Sequence, residues 1–342
     1  MVQMVTIGAG DKTVVVNKIA HGLMMMTWKP TPVPEEQAFA AIKAGIDTLP
    51  PGTKMMLNAG QFYGQNASSL GLDLVANFFE KYPDYADKAF LSVKGGMKPY
   101  TMQLDVTPEG LRRSVDFVLE KLRGKKKLDL FETARVDRSV PHEEQMKVLA
   151  GLVAEGKFDF IGLSEVGAKT VREANAVTPI AAVEIEVSPW SYEPETKEVI
   201  STCAELGIPV VAYSPLGRGF LTGQVTKPED FEEGDFRRHF TRFQAETMKQ
   251  NFALVDALKS IAQKKGITPA QLAIAWVSSR GPHVIPLPGS SDAKRTSENL
   301  AAGDVVLTPE DLAEIEDVQK RFPVQGSRYV DGAPKEVTKL WG

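Results

Sequence analysis

The sequence predicts an α/β fold, a (β/α)8 TIM barrel with an N-terminal β-hairpin and two extra C-terminal helices. Eight short apolar segments alternate with amphipathic segments of helical period, as expected of parallel strands that are covered on both faces. A chain of 342 residues is long enough for one such barrel. A doubly wound open sheet is the alternative. It normally has a glycine-rich turn after its first strand, and Gly22-Leu23-Met24-Met25-Met26 lacks that pattern.

The strands are predicted from apolar runs bounded by Gly, Pro, Asn or Asp, and a hairpin at residues 4–17 precedes them. The eight barrel strands are predicted at residues 19–25, 54–58, 89–94, 128–134, 158–164, 181–187, 209–214 and 283–288. The helices are predicted from their apolar period and from N-cap signals such as Thr107-Pro108. They span residues 35–45, 66–82, 107–122, 142–155, 168–176, 193–206, 268–278, 292–301 and 309–320.

Two segments do not fit this repeat. Residues 217–250 form a long insert rich in charge and phenylalanine, and loops of this length in a compact domain are usually functional, often as lids. A single barrel domain is expected to span residues 1–322. The remaining tail, residues 323–342, is rich in Gly, Pro and Lys, which predicts partial disorder.

Composition excludes several classes of partner. A net charge of −4 argues against nucleic acid, and no apolar run reaches the length of a membrane span. The single cysteine, Cys203, cannot form an intrachain disulfide and is expected to be a buried, unreactive thiol. We expect a soluble cytoplasmic protein, with the nucleus as a second compartment to consider, that acts on a small molecule. No metal site is predicted, and the oligomeric state stays open.

A tyrosine follows the second predicted strand, in Leu57-Asn58-Ala59-Gly60-Gln61-Phe62-Tyr63-Gly64. In a parallel α/β barrel, ligands and catalytic groups gather at the carboxyl ends of the strands. Taken by itself, this stretch is better explained as a tyrosine half-buried beside a turn, and it is the rest of the chain that favours the site. The next strand ends in Lys94, and lysine is rarely buried without a partner. If the two strands are neighbours, the ammonium of Lys94 is expected to lower the pKa of Tyr63 and make it a general acid.

Polar groups also end the later strands. Ser164 and Glu165 follow the fifth strand, Glu184 lies in the sixth, and a loop from Tyr213 follows the seventh. The eighth strand leads to Ser290, Ser291 and a helix that carries Arg295, Glu298 and Asn299. Hydroxyls, an arginine and a helix N-terminus together predict a phosphate site, a recurring feature of barrels near strands seven and eight.

These motifs resemble the aldo-keto reductases over roughly residues 15–322. The residues that carry the resemblance are Tyr63-Gly64, Leu91-Ser92-Val93-Lys94, Ile161-Gly162-Leu163-Ser164, Ala212-Tyr213-Ser214-Pro215-Leu216-Gly217-Arg218-Gly219 and Pro286-Leu287-Pro288-Gly289-Ser290-Ser291 with Arg295 and Glu298-Asn299. The resemblance implies an NADPH-dependent carbonyl reductase in which Tyr63 is the proton donor, Lys94 tunes it and Asn58 orients Lys94. The cofactor contacts that it implies are Ser164, Glu165, Glu184, Tyr213, Ser214, Pro215, Leu216, Gly219, Ser290, Ser291, Arg295, Glu298 and Asn299.

The chain departs from the family at four positions. Asn58 replaces the usual Asp, so the charge of Lys94 is expected to be less compensated and the pKa of Tyr63 to fall further. Ala134 stands where a His is usual, and Arg135 or a polar group of the substrate is expected to take over its role. Glu165 and Glu184 replace the usual Asn and Gln that contact the carboxamide.

These departures resemble the fungal pyridoxal reductases, in the segments Asn58–Gly64, Arg123–Phe131 and Ala134–Asp137. The resemblance implies reduction of pyridoxal to pyridoxine, a step of vitamin B6 metabolism, with Trp28, Phe62, Arg135 and Trp190 as substrate contacts. Two alternatives remain: a general aldehyde or aryl-alcohol reductase, and an NADPH-binding regulatory subunit with vestigial activity.

Overall fold

The computed structural model describes residues 3–9, 11–329 and 341. The strands found within these residues are β1 (Met4–Ala9), β2 (Lys12–Asn17), β3 (His21–Gly22), β4 (Met55–Gly60), β5 (Ala89–Gly95), β6 (Leu130–Thr133), β7 (Phe160–Ser164), β8 (Ala182–Glu186), β9 (Val210–Tyr213) and β10 (Val284–Leu287). The α-helices are α1 (Met24–Thr27), α2 (Glu35–Ile46), α3 (Leu70–Lys81), α4 (Pro108–Leu122), α5 (His142–Ala154), α6 (Ala168–Val177), α7 (Pro194–Leu206), α8 (Ala245–Lys265), α9 (Pro269–Ser278), α10 (Ala293–Ala301) and α11 (Pro309–Arg321).

Strands β3 to β10 form one parallel sheet in sequence order, and this sheet closes on itself. Gly22 pairs with Gly289 as a parallel bridge, and the amide of Gly22 donates to the carbonyl of Pro288 at 3.0 Å. Closure of eight parallel strands with helices between them makes the (β/α)8 barrel that the sequence predicts. The antiparallel pair β1 and β2 is the predicted hairpin.

The inward side chains change character along each strand. Near the amino ends they are apolar and pack with the hairpin residues Val5, Ile7 and Val16 into one buried cluster. The inward residues of this cluster include Met56, Phe90, Leu130, Phe160, Val211 and Ile285. Two residues further along the strands, the buried side chains are polar, as Asn58, Ser92 and Glu132 are. The hairpin therefore fills the lower end of the barrel, and polar chemistry is confined to the upper end.

The predicted helices after the second strand are found with small changes at their ends, and the threonine caps are present. The side chains of Thr107, Thr268 and Thr308 each accept a backbone N–H of the first helical turn, and a proline follows each of them. The helix that was predicted from residue 66 begins only at Leu70, because residues 65–67 form a separate turn in which Asn66 has a positive φ of 53°.

Two predictions about elements were incomplete. The first barrel strand is only His21–Gly22, and Met24–Thr27 form a short helix rather than the end of a strand. Helix α8, of 21 residues, was missed. Its buried residues recur every three or four positions, as in Leu254, Leu258 and Ile261, and Gly266 ends it in the left-handed region.

The insert and the start of the tail lie against each other. The insert contains short 3-10 turns before α8, and Phe240 packs edge-on against Tyr329 of the tail at 5.7 Å. The structure describes residues 323–329 of the tail, and Arg328 within this segment is buried. Residues 330–340 and 342, to which the expectation of disorder also applied, lie outside the described residues. Within the described parts of the chain, every helix is too short or too polar to cross a membrane.

Candidate active site

Tyr63 lies in the loop that follows β4, and its backbone is fixed from three sides. Its amide donates to the carbonyl of Gly60 at 3.2 Å. Its carbonyl accepts from the hydroxyl of Thr27 at 2.6 Å and from the amide of Gly71 at 2.9 Å. A Cβ atom on Gly60 would lie 2.6 Å from Cε1 of the Tyr63 ring. Only glycine therefore lets this ring lie against the end of the strand.

Lys94 is the last residue but one of β5, and its ammonium is enclosed by polar groups. Its Nζ lies 5.8 Å from the centre of the Tyr63 ring. The same atom donates to Oδ1 of Asn58 at 2.8 Å and contacts Oε1 and Oε2 of Glu184 at 2.6 and 2.7 Å. Glu132 approaches Lys94 at 3.5 Å. The structure therefore brings together the three residues predicted to be catalytic, Asn58, Tyr63 and Lys94.

The electrostatics of this group differ from the expectation in two respects. The charge of Lys94 is not undercompensated, because Glu184 forms an ion pair with it. Burial alone would lower the pKa of Lys94, but Glu184, followed by Tyr63 and Glu132, more than reverses that effect and raises it. Burial raises the pKa of Tyr63 to about 12, and Lys94 only partly opposes this. The predicted fall in the pKa of Tyr63 is therefore wrong for this structure, since desolvation of the phenol outweighs the lysine.

Aromatic side chains pack against Tyr63. The indole of Trp28 stacks on the Tyr63 ring with centroids 5.6 Å apart and planes 28° apart. Phe62 meets both rings edge-on, and Phe236 of the insert lies 5.7 Å from Trp28. Trp190, also predicted to contact substrate, is placed elsewhere: it stacks on Phe220 at 4.8 Å.

Arg135 lies one residue beyond Ala134, which shares a buried cluster with Phe62 and Tyr63. The guanidinium of Arg135 donates to the carbonyl of Ala134 at 2.6 Å and to the hydroxyl of Tyr329 at 3.2 Å. Arg135 therefore borders the Tyr63 group, and one of its bonds links this side of the site to the tail.

The predicted carboxamide contacts lie on the neighbouring strands β7 and β8: Ser164 ends β7, Glu165 follows it, and Glu184 lies in the middle of β8. Ser164 is buried and pairs in register with Glu184. Glu165 is fully buried with a positive φ of 56°, and its amide donates to the carbonyl of Glu184 at 2.9 Å. The left-handed backbone at Glu165 directs its side chain toward Arg328 of the tail, which contacts both carboxylate oxygens at 3.2 Å.

Tyr213 ends β9, and a tight loop of four predicted contacts follows it: Ser214, Pro215, Leu216 and Gly219. Backbone φ is positive at Ser214, Gly217 and Gly219. A Cβ atom on Gly217 would lie 2.7 Å from Nε1 of Trp190, so the loop passes close to that indole. The Tyr213 hydroxyl lies 3.2 Å from Arg328 and 3.4 Å from the hydroxyl of Tyr329.

The predicted phosphate site is assembled after β10. Ser290 is buried, Ser291 is half-buried and Arg295 is exposed in the first turn of α10. The backbone amide of Arg295 donates to Asp292 at 3.0 Å, and no bond of its side chain is found within the described residues, so the exposed guanidinium faces solvent. Glu298 and Asn299 follow on the same helix. This arrangement leaves an arginine and two hydroxyls beside a helix start, as a phosphate group requires.

Sequence reasoning missed three buried charged residues. Glu132 contacts Lys94, and Glu186 and Arg328 form an ion pair at 3.0 Å. Arg328 and the further guanidinium groups of Arg218 and Arg242 lower the pKa of Glu186 to about 2, although burial would raise it. Glutamates inside apolar strands were a usable signal for Glu132 and Glu186. Arg328 lies in a polar tail, where the sequence contains no comparable signal.

Comparisons with known proteins agree with this architecture. Residues 18–320 match the aldo/keto reductase family. A protein of Schizosaccharomyces pombe named "Probable pyridoxal reductase 2" is 40% identical over 319 residues, which cover 92% of this chain and 95% of that protein. An aldo-keto reductase of the same yeast whose name carries NADP(+) is 39% identical over 72% of this chain and 74% of its own length. The solved structure of a glycerol dehydrogenase from Gluconobacter oxydans has the same fold, with a TM-score of 0.78 and 22% identity over 96% of this chain and 98% of its own.

Proposed function

The chain belongs to the aldo/keto reductase family, and from this premise we propose that it reduces pyridoxal to pyridoxine with NADPH. The observation that carries the proposal is the pair of Tyr63 and Lys94 at the upper end of the barrel, beside the aromatic rings of Trp28 and Phe62. A phenol with a buried ammonium nearby supplies the two groups that carbonyl reduction needs, a proton donor and a positive charge. The 40% identity to a protein named as a pyridoxal reductase supports the choice of aldehyde.

The nicotinamide cofactor supplies the hydride when it is bound. Tyr63 donates the proton from its hydroxyl to the carbonyl oxygen, and its raised pKa keeps it protonated at neutral pH. The buried ammonium of Lys94 stabilises the phenolate that Tyr63 becomes. The cofactor would be held by groups at or just beyond the carboxyl ends of β7, β9 and β10: Ser164 and Glu165 would contact its carboxamide, Tyr213 its ring, and Ser290, Ser291 and Arg295 its phosphates.

The aromatic wall suits a flat heteroaromatic aldehyde. Trp28 and Phe62 present apolar rings beside Tyr63, and aromatic pairs are worth about 0.5–1.5 kcal/mol beyond the area they bury. Pyridoxal carries a phenolic oxygen next to its aldehyde. In our proposal this oxygen supplies part of the orientation that the family's histidine would give, since Ala134 stands at that position.

A substrate panel tests the proposal. The protein is assayed for NADPH oxidation with pyridoxal, 3-deoxypyridoxal and 4-nitrobenzaldehyde. We expect pyridoxal to have the highest kcat/KM, and 3-deoxypyridoxal to be poorer because it lacks the phenolic oxygen. Preference for the nitro-aldehyde would favour a general aldehyde reductase. Tight NADPH binding with none of the aldehydes consumed would favour a regulatory subunit.

The choice of NADPH over NADH is tested at Arg295. Its exposed guanidinium can bind a phosphate bidentately, so Arg295→Ala is expected to weaken NADPH binding by about 2 kcal/mol and leave NADH binding unchanged. Lys294→Ala, an exposed cation one residue earlier, is the control and should affect neither dinucleotide. Binding is measured by fluorescence titration. Equal losses for both dinucleotides in Arg295→Ala would contradict the assignment.

A further inference from the structure

Asn58, Lys94 and Glu184 form a closed triangle of hydrogen bonds inside the barrel. Their side chains come from β4, β5 and β8, so strands on different parts of the wall are joined through the interior. Lys94 Nζ lies 2.6 and 2.7 Å from the two oxygens of Glu184 and 2.8 Å from the amide oxygen of Asn58. All three residues are at most 6% exposed. Contacts this short between buried groups fix the position of the lysine.

Two buried carboxyl groups face one lysine, and they are not equivalent. Glu184 contacts Lys94 with both oxygens, whereas Glu132 approaches only to 3.5 Å. Burial, and then the charge of Glu184, raise the pKa of Glu132 well above its usual value. This direction favours the neutral form of Glu132, and the shorter contacts of Glu184 assign to that residue the negative charge that balances Lys94.

Asn58 holds this arrangement in place without contributing charge. Its amide nitrogen donates to Glu184 at 2.6 Å while its amide oxygen accepts from Lys94. The two neighbours fix the orientation of the amide, because a flipped amide would put a donor against the ammonium. An aspartate at this position would have nearly the same shape, so the charge could be carried by either β4 or β8.

We propose that Glu184 is the positioning residue that supplies the counter-charge of Lys94 and so sets proton donation by Tyr63. The inference rests on the proposed function, in which Tyr63 is the proton donor. It gives Glu184 a role different from the carboxamide contact implied by its sequence position, since both of its oxygens are already bonded to Lys94 and Asn58. The two roles predict different behaviour of variants.

The first test compares Glu184→Gln with Glu132→Gln. Glu184→Gln removes the counter-charge, and we expect kcat to fall by at least about 10-fold. Tyr63, Glu132 and Glu184 are the titratable groups that face Lys94, and Glu184 has the largest effect in keeping it protonated. The basic limb of the kcat profile should therefore move to lower pH in Glu184→Gln. Glu132→Gln replaces a neutral carboxyl with a neutral amide and should cause a clearly smaller loss and shift.

The second test returns the charge to the neighbouring strand. Asn58→Asp alone places a third carboxyl group beside one lysine and is expected to lower both kcat and the melting temperature. Combined with Glu184→Gln, it restores one charge beside Lys94 and keeps a hydrogen bond between positions 58 and 184 with its direction reversed, while one of the two Lys94 contacts at position 184 is lost. The double variant should therefore recover most of the kcat and pH profile that Glu184→Gln loses.

Melting of the cofactor-free protein gives a readout that does not depend on turnover. Glu184→Gln leaves a buried ammonium without its partner, and the melting temperature should fall by on the order of 5 °C. The double variant should recover most of this loss in melting temperature. If the wild type reduced no aldehyde, the proposed function would fail, and this recovery would still test the charge assignment.

Two outcomes would overturn the inference. One is a Glu184→Gln variant that loses mainly NADPH affinity while its pH profile and melting temperature stay at wild-type values, which is the behaviour of a carboxamide contact. The other is a double variant that is no better than Glu184→Gln in kcat and melting temperature.

Discussion

At the scale of single residues, the site depends on how two ionisable side chains are buried together. Tyr63 and Lys94 are 5% and 6% exposed, so desolvation acts strongly on both. Burial alone would favour the neutral form of each group, but Lys94 has a carboxylate in contact, which favours its charged form. Burial therefore raises the pKa of Tyr63, and the ion pair raises that of Lys94. Both side chains consequently carry their protons at neutral pH.

Gly60 makes a testable contribution to this geometry. A Cβ atom there would collide with the Tyr63 ring at 2.6 Å, so Gly60→Ala should push the phenol out of place. A displacement of about 1 Å can cost about 100-fold in rate, and we expect a loss of that order in kcat with NADPH binding retained. The measurement is steady-state kinetics with a dinucleotide titration.

Gly151→Ala is the matched control for this substitution. Gly151 is exposed in α5, and a Cβ atom there would meet nothing within 4 Å. Alanine should therefore leave kcat unchanged and add up to about 1 kcal/mol of helix stability. A Gly60→Ala variant with wild-type kcat would show that the ring is not held by this contact.

At the scale of elements, the strands divide the barrel into two ends. Strands β4 to β10 place apolar side chains inward near their starts, and β4 to β8 place polar ones inward further along. The apolar lower end is closed by the β1–β2 hairpin, which lies outside the eight-stranded barrel sheet. The hairpin therefore contributes to stability and is kept apart from the chemistry.

Adjacent residues of β1 test this division. Ile7 is fully buried against the barrel interior, and Ile7→Ala should lower the free energy of unfolding by about 2–5 kcal/mol. Thr6 points to solvent on the same strand, and Thr6→Ala should stay within about 0.5 kcal/mol of the wild type. Urea unfolding measures both. Equal losses of unfolding free energy in the two variants would mean that the hairpin does not fill the lower end of the barrel. We expect kcat to be preserved in both variants.

At the scale of the whole molecule, the start of the tail joins the insert to the barrel. Arg242 and Asn251 bond to the backbone of Gly326 and Gln325, and Arg328 reaches the carboxylates of Glu165 and Glu186. The segment 325–329 thus ties together parts of the chain that are distant in sequence. Because these charges are buried, breaking one side of such a pair is costly.

Arg328→Met tests this connection through the pH dependence of stability. Glu186 has a folded pKa of about 2 against an ordinary 4.5, so its contribution is present above pH 4.5 and is lost as the pH falls toward 2. Arg328→Met should lower the free energy of unfolding by about 3 kcal/mol at neutral pH. The deficit relative to the wild type should shrink as the pH falls through this range, because Glu186 then becomes protonated.

Urea unfolding at a series of pH values measures the effect, and Arg321→Met is the control. Arg321 forms an exposed pair with Asp317 on α11, and such pairs are worth at most about 1 kcal/mol. A deficit in Arg328→Met that stays the same at every pH would argue that Arg328 acts by packing rather than by charge.

The sequence by itself determined the barrel, most strand and helix positions, and the meeting of Tyr63 with Lys94. These follow from local signals: apolar period, caps, and the rule that parallel strands place their carboxyl ends together. The long helix α8 was also readable from its period, but it was hidden behind an insert whose charge and aromatic content favoured a loop.

Only the tertiary structure decided the charges of the site. Lys94 lies 90 residues from Glu184, and Arg328 lies 163 residues from Glu165, so neither pair is visible in a local pattern. Whether a buried carboxyl group ionises depends on which cations lie within about 4 Å and how much water remains, and both are fixed only when the barrel closes. For that reason the sequence identified Asn58 as a departure but could not show that Glu184 faces Lys94 in its place.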